Sequence, residues 1–187
     1  MSFWGIEIMH YGILAIVERP DEITKDTIES AVSSVMEPTR DQNWDWFMVG
    51  GRWTGSLDGF DPEIAYQEVC DLCGGTGDRA THRGEPKDHQ HPSGCNGCLG
   101  KGTRTTWPTS WPFRLGDVLP VEQLTAEHVD KFYAVVVSGY GQWFGVERYE
   151  PWHDEITGRF IRTDKPPIEW LKKDHGSYLA VVVDCHN

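Results

Sequence analysis

The sequence predicts an α+β fold, with a mostly antiparallel sheet, two or three short helices and an inserted cysteine-rich hairpin. Three observations carry that reading. The runs Ile13–Val17, Tyr133–Val137 and Tyr178–Val183 have the length and β-branched content of buried strands. Residues Ile28, Ala31, Val32, Val35 and Met36 fall on one face of a helix. Between residues 70 and 106 the composition changes in kind: this stretch holds four of the five Cys, eight Gly and almost no large apolar side chains.

The elements follow in order. Residues 5–17 read as one strand or a bent strand pair, ended by Pro20-Asp21. Thr24 is placed to cap the helix and Pro38 follows its end. Trp44 to Val49 forms a second strand, stopped by Gly50-Gly51. After the cysteine-rich stretch, Trp107 to Gly116 reads as loop, and Thr125 caps a short helix that runs to Phe132. The strand at 133–137 turns at Ser138-Gly139-Tyr140-Gly141 into a return strand from Gln142 to Tyr149. Pro166-Pro167 opens a last helix at 168–174, and the run at 178–183 is the final strand. The expected organisation is a domain in two halves, 1–64 and 107–187, with 65–106 inserted between its strands.

Charge narrows the function classes. The chain of 187 residues carries a formal −12, divided as −9 over residues 1–69, +1 over 70–106 and −4 over 107–187. That balance excludes an ordinary basic DNA-binding protein. No apolar run approaches the ~20 residues of a membrane span. The opening Met1-Ser2-Phe3-Trp4-Gly5 shows no basic or apolar leader, so a cytoplasmic setting is expected. Nine Trp is several times ordinary usage, which points either to an aromatic interaction surface or to a Trp-filled core.

The middle segment cannot order itself by apolar burial, so something else must staple it. Cys70-Asp71-Leu72-Cys73-Gly74-Gly75-Thr76-Gly77 and Cys95-Asn96-Gly97-Cys98-Leu99-Gly100-Lys101-Gly102 both read C-x-x-C-x-G-x-G, offset by 25 residues. A C-x-x-C knuckle grips one metal with two thiolates, and the glycines behind it turn backbone N–H groups toward the sulfurs. Cys70, Cys73, Cys95 and Cys98 together describe a closed tetrahedral site for one structural Zn2+. Disulfides fit a reducing compartment poorly, and a doubled motif outside a βαβ unit is a poor redox centre. His82, His89 and His91 lie in the loop between the knuckles and read as solvated. Arg79, Arg83, Lys87, Lys101 and Arg104 make the hairpin mildly basic, enough for no more than weak contact with nucleic acid.

The duplicated motif resembles the cysteine-rich zinc region of DnaJ-type (Hsp40) co-chaperones, in which four such motifs hold two zincs. Two motifs here imply one. The resemblance covers about 33 residues and implies the fold of the hairpin. The His-Pro-Asp signature of the J-domain is absent, His91-Pro92-Ser93 being the nearest match, so Hsp70 stimulation is not implied. The body is similar to uncharacterised proteins of actinobacteria and their phages at Trp44–Gly55, at Trp107-Pro108-Thr109-Ser110-Trp111 and at Val181–His186. That resemblance implies a phage or prophage origin in a bacterial cytoplasm, and no activity.

Two further places could carry chemistry. In Trp44–Gly55, the Gly50-Gly51 pair permits close approach of a ligand, Arg52 offers a planar fork, and Trp46 or Trp53 could stack on a ring. This would be a site for a nucleotide or small anion. In Asp184-Cys185-His186, a thiol stands beside an acid and a base. Strand alternation sets Cys185 and His186 on opposite faces, so a partner such as His10 would be needed. No catalytic residue is assigned. The leading expectation is a non-enzymatic, zinc-stabilised protein that binds a host or phage protein through an acidic, aromatic-rich surface. A nucleotide or anion binder using Arg52, and a small enzyme using the Asp-Cys-His end, are the alternatives.

Overall fold

A computed structural model of the chain describes residues 10–40, 44–79, 94–139, 142–151 and 158–186. Its contacts divide into two compact units, one of residues 1–60 and 111–187, the other of residues 61–110.

The first unit is built on a six-stranded mixed sheet. Strand β1 (Tyr11–Val17) is followed by helix α1 (Lys25–Met36) and β2 (Trp46–Val49). Later come β5 (Val118–Pro120), helix α3 (Ala126–Asp130), β6 (Ala134–Val137), β7 (Gln142–Phe144), helix α4 (Ile168–His175) and β10 (Leu179–His186). The order across the sheet is β2-β10-β1-β6-β7, with β5 sharing the β10 edge that β2 occupies further along. Four of the pairings are antiparallel and β1–β6 is parallel, so the sheet is mixed rather than purely antiparallel.

Burial on both faces explains the uninterrupted apolar runs. Tyr11, Ile13, Ala15 and Val17 of β1, with Leu179, Val181, Val183 and Cys185 of β10, face α1 through Ile28, Val32, Val35 and Met36. Leu14, Ile16, Ala180 and Val182 face the other way, onto Leu124, Val129, Phe132 and Leu171. A strand covered on both sides has no polar side to alternate with. The α1 cap is the one the sequence indicates: Thr24 Oγ1 accepts the Thr27 N–H at 3.3 Å, and Thr27 returns the bond to the Thr24 N–H at 3.0 Å. Two tryptophans serve the core. Trp143 is fully buried with Nε1 donating to Thr39 Oγ1 at 2.8 Å, and Trp44 Nε1 donates to the Met36 carbonyl at 3.0 Å. Among the described tryptophans only Trp46 is classed as exposed.

Some boundaries differ from the sequence reading. The expected return strand of 142–149 is two strands, because the chain turns at Gly145. Its N–H goes to Thr163 Oγ1 at 3.0 Å instead of to a ladder partner. The second piece, β8 (Glu147–Pro151), pairs with β9 (Gly158–Arg162) in a separate hairpin. Of the reading of residues 5–17, the first five lie outside the described residues, as do Tyr140 and Gly141.

The second unit contains helix α2 (Pro62–Ala65) and the pair β3 (Gln67–Val69) and β4 (Thr103–Thr105). With helix α2, the helices given ranges among the described residues number four, where the sequence predicts two or three. Helix α2 is a single turn that Asp61 caps by accepting the Glu63 and Ile64 N–H groups, with Pro62 at its first position. Among the described residues, the core of this unit consists of four cysteines with Leu72 packed on them.

Candidate functional site

Short β3 and β4 bring the two knuckles face to face. Cys70 N–H donates to the Gly102 carbonyl at 2.9 Å, and Cys95 N–H to the Gly77 carbonyl at 2.7 Å. The repeat is thus a structural one, each knuckle clasping the tail of the other. Gly77 and Gly102 have φ of 76° and 79°, and a Cβ on either would overlap the opposing backbone carbonyl. No other residue type fits there. In return, Gly77 N–H points at Cys73 Sγ (3.3 Å) and Gly102 N–H at Cys98 Sγ (3.2 Å).

The four sulfurs lie within 4.8 Å of one another, and all four cysteines are buried. Cys70 and Cys95 Sγ are 3.8 Å apart, and Cys73 and Cys98 Sγ 3.7 Å. A disulfide would need ~2.05 Å. Sulfurs at ~2.3 Å from one tetrahedral ion stand ~3.8 Å apart. The spacing is therefore that of a metal cage, and the donor set suits a soft or borderline ion. Burial pushes the Cys73 thiol up, but the Gly77 and Gly75 N–H groups and the neighbouring sulfurs outweigh it and bring it down to about 7. A thiol so placed is readily held as the thiolate a metal requires. Of the cations noted in this hairpin, Arg79 donates to Asn96 Oδ1 and Arg104 pairs with Asp71 at 3.1 Å. Arg83, Lys87, His82, His89 and His91 lie outside the described residues.

A second group of side chains gathers at one end of the main sheet. The register sets Tyr11 opposite Cys185 and His186 opposite Trp46. Continued by one residue, it sets His10 beside His186. His10, His186 and Trp46 therefore form a row on one face, with Asp184 one step behind. His10 Nδ1 is 3.1 Å from Asp184 Oδ1, and His186 Nδ1 is 2.8 Å from Asp45 Oδ1. The His10 and His186 ring centroids are 5.3 Å apart, and Trp46 stacks on His186 with planes 9° apart. The His186 hydrogen bond holds the Asp45 carboxyl below its usual range. Asp184 is buried, and its second oxygen accepts the Arg52 backbone N–H at 3.0 Å.

The residues singled out in the sequence are distributed as follows. Trp46 is part of this row. Arg52 contributes through its backbone, and its side chain is exposed. Gly50 N–H donates to the Val182 carbonyl at 2.8 Å, and a Cβ on Gly51 would strike the Asp184 side chain. Trp53 lies over Gly12, where any larger residue would displace its ring. Cys185 points to the opposite face, packed with Tyr11 in the core, and burial pushes its thiol up. The Asp-Cys-His end therefore does not assemble a thiol–imidazole pair. Its chemistry is that of Asp184 and His186 alone. Asp45 and Asp117 carry no signal in the sequence that marks them as functional. Asp117 is buried and takes the Gly55 N–H at 2.7 Å and the Thr54 hydroxyl, fixing the Gly50–Gly55 turn. Nothing in their immediate sequence separates these two acids from the other carboxylates.

Comparison with family models, with curated proteins and with solved structures finds no match. No helix among the described residues is long and apolar enough to cross a membrane.

Proposed function

We propose that Cys70, Cys73, Cys95 and Cys98 hold one structural Zn2+ and that the chain is a non-enzymatic, zinc-stapled binding protein. The observation that carries this is the closed cage. Four buried thiolates fill a tetrahedral ion and leave no position for substrate or water, so the metal shapes a surface and does no chemistry. On this reading residues 65–106 are a module inserted in the body, as the DnaJ-like motifs imply for the hairpin alone. A bacterial cytoplasmic setting and a phage origin belong to the same proposal, resting on the resemblances of the body.

Support for a binding role comes from the second unit itself. Ile64, Val69 and Leu99 are exposed at 67%, 65% and 56%. Leu99 also has φ of 51°, the left-handed conformation that Gly74 adopts at the matching place in the first knuckle. A non-glycine residue there costs roughly 1 kcal/mol or more. An exposed apolar side chain kept at that cost is explained by a contact with another protein. The nucleotide or anion reading has weaker support, since Arg52 meets Asp184 through its backbone. Replacing Leu99 by Gly tests the proposal. The variant should bind one zinc, melt at or above the wild-type temperature, and lose the partner that the wild type retains. A Leu99→Gly protein that melts lower, or that keeps partner binding intact, would refute the contact role.

A further inference from the structure

We infer that His10 and His186 form a second, open metal site, for a divalent imidazole-binding ion that takes tetrahedral geometry, such as Zn2+ or Co2+. The site would be separate in kind from the cysteine cage. Each ring spends Nδ1 on a carboxylate, His10 on Asp184 and His186 on Asp45, and among the described residues no hydrogen bond engages Nε2 of either. A carboxylate behind the distal nitrogen is the arrangement that fixes the tautomer of a metal-bound histidine and raises its basicity. The ring spacing agrees. With metal–nitrogen bonds of ~2.0–2.1 Å, two imidazoles on one tetrahedral ion have centroids ~5.2 Å apart. Those of His10 and His186 are 5.3 Å apart.

The surroundings favour a cation over an anion. Asp45 and Asp184 stand directly behind the rings, and the whole chain carries −12. The rings are reachable, their side chains being 18% and 25% exposed. Trp46 covers one face of His186 and limits its motion. Among the described residues the four cysteines alone bring three or more ligand atoms within reach of one ion. The histidine pair therefore supplies two ligands, with water completing the coordination. Such a site is weaker than the cage and exchangeable.

The test uses the full chain with its cage loaded with zinc, titrated with Co2+. Substoichiometric Co2+ should shift or broaden the ring-proton resonances of His10 and His186 together. Calorimetry should show an equivalent whose affinity falls at least tenfold in His10→Ala and in His186→Ala. Asp45→Asn keeps both rings and removes only the carboxylate, so it should weaken the same equivalent by about 10- to 100-fold. Its melting temperature reports whether the fold is retained. Shifts or broadening confined to other histidines such as His89 and His91, or unchanged Co2+ affinity in the two alanine variants, would overturn the assignment. Zinc stoichiometry at the cage is read separately, so failure of one site is distinguishable from failure of the other.

Discussion

Replacing Cys98 by Ser asks how far the cysteine unit depends on the zinc proposed for it. Among the described residues, the apolar side chain packed on the cysteines is the half-buried Leu72, and β3 is exposed at all three of its residues. Full burial of a Leu stabilises by roughly 1.5–3 kcal/mol, so half-buried Leu72 contributes less. A four-thiolate zinc site contributes about 10–16 kcal/mol. Divided over four ligands, that is about 2.5–4 kcal/mol each, or a 10²- to 10³-fold loss of affinity for one missing thiolate. Competition against a chromophoric chelator near neutral pH measures this directly. Amide exchange measures the consequence, because Gly102 N–H points at Cys98 Sγ and Gly77 N–H at Cys73 Sγ. Both amides should lose protection when zinc is withdrawn, while the β1 and β10 amides of the main sheet keep theirs. Wild-type zinc affinity in Cys98→Ser would refute the four-sulfur site. Undiminished protection of Gly77 and Gly102 after metal removal would refute the idea that metal orders this unit.

Trp143→Phe should cost about 2 kcal/mol, from the lost bond to Thr39 and the space the indole leaves, and lower the melting temperature by about 4–8 °C; a shift near zero would mean that Trp143 is not the core anchor its burial indicates. Burial pushes the Asp117 carboxyl up, against the Thr54 and Gly55 hydrogen bonds and the Arg114 charge. The unfolded chain thus releases this proton at lower pH than the folded one. The contribution to stability is complete below the ordinary aspartate range and is lost as pH rises through the raised folded value. The melting temperature of the wild type relative to Asp117→Asn should therefore fall across the acid range, and a difference independent of pH would show that Asp117 is not perturbed.

The parts of the fold legible in the sequence are those with one dominant cause. The runs at 13–17, 134–137 and 179–183 are buried on both faces, so they have no other reading. The face of α1 and its Thr24 cap are local. The cysteine knuckles are legible because a four-thiolate cage requires both the C-x-x-C spacing and the glycines behind it. What stayed hidden depends on register. Strands β3, β4 and β5 have three residues each, too few for a period to show. The parallel β1–β6 pairing joins segments about 120 residues apart. The histidine row exists only because Tyr11 meets Cys185 and His186 meets Trp46. Alternation alone places Asp184 and His186 on one face. It does not say that His10 and Asp45 complete the pairs.

The clasp between the two ends of the cysteine unit has a kinetic consequence for the sheet. Thr106 N–H meets the Tyr66 carbonyl at 2.8 Å, just outside β3 and β4. Val49 of β2 and Val118 of β5 both pair with β10, and the chain between them is 68 residues long. With 66 and 106 tied together, the effective loop shrinks to about 29 residues. Loop closure then costs about 0.8 kcal/mol less, from the logarithm of that ratio. Metal bound some way along the chain would thus speed assembly of β2, β5 and β10 by roughly fourfold. Zinc would act on the body as a knot acts on a rope, by shortening the slack before the ends are drawn together.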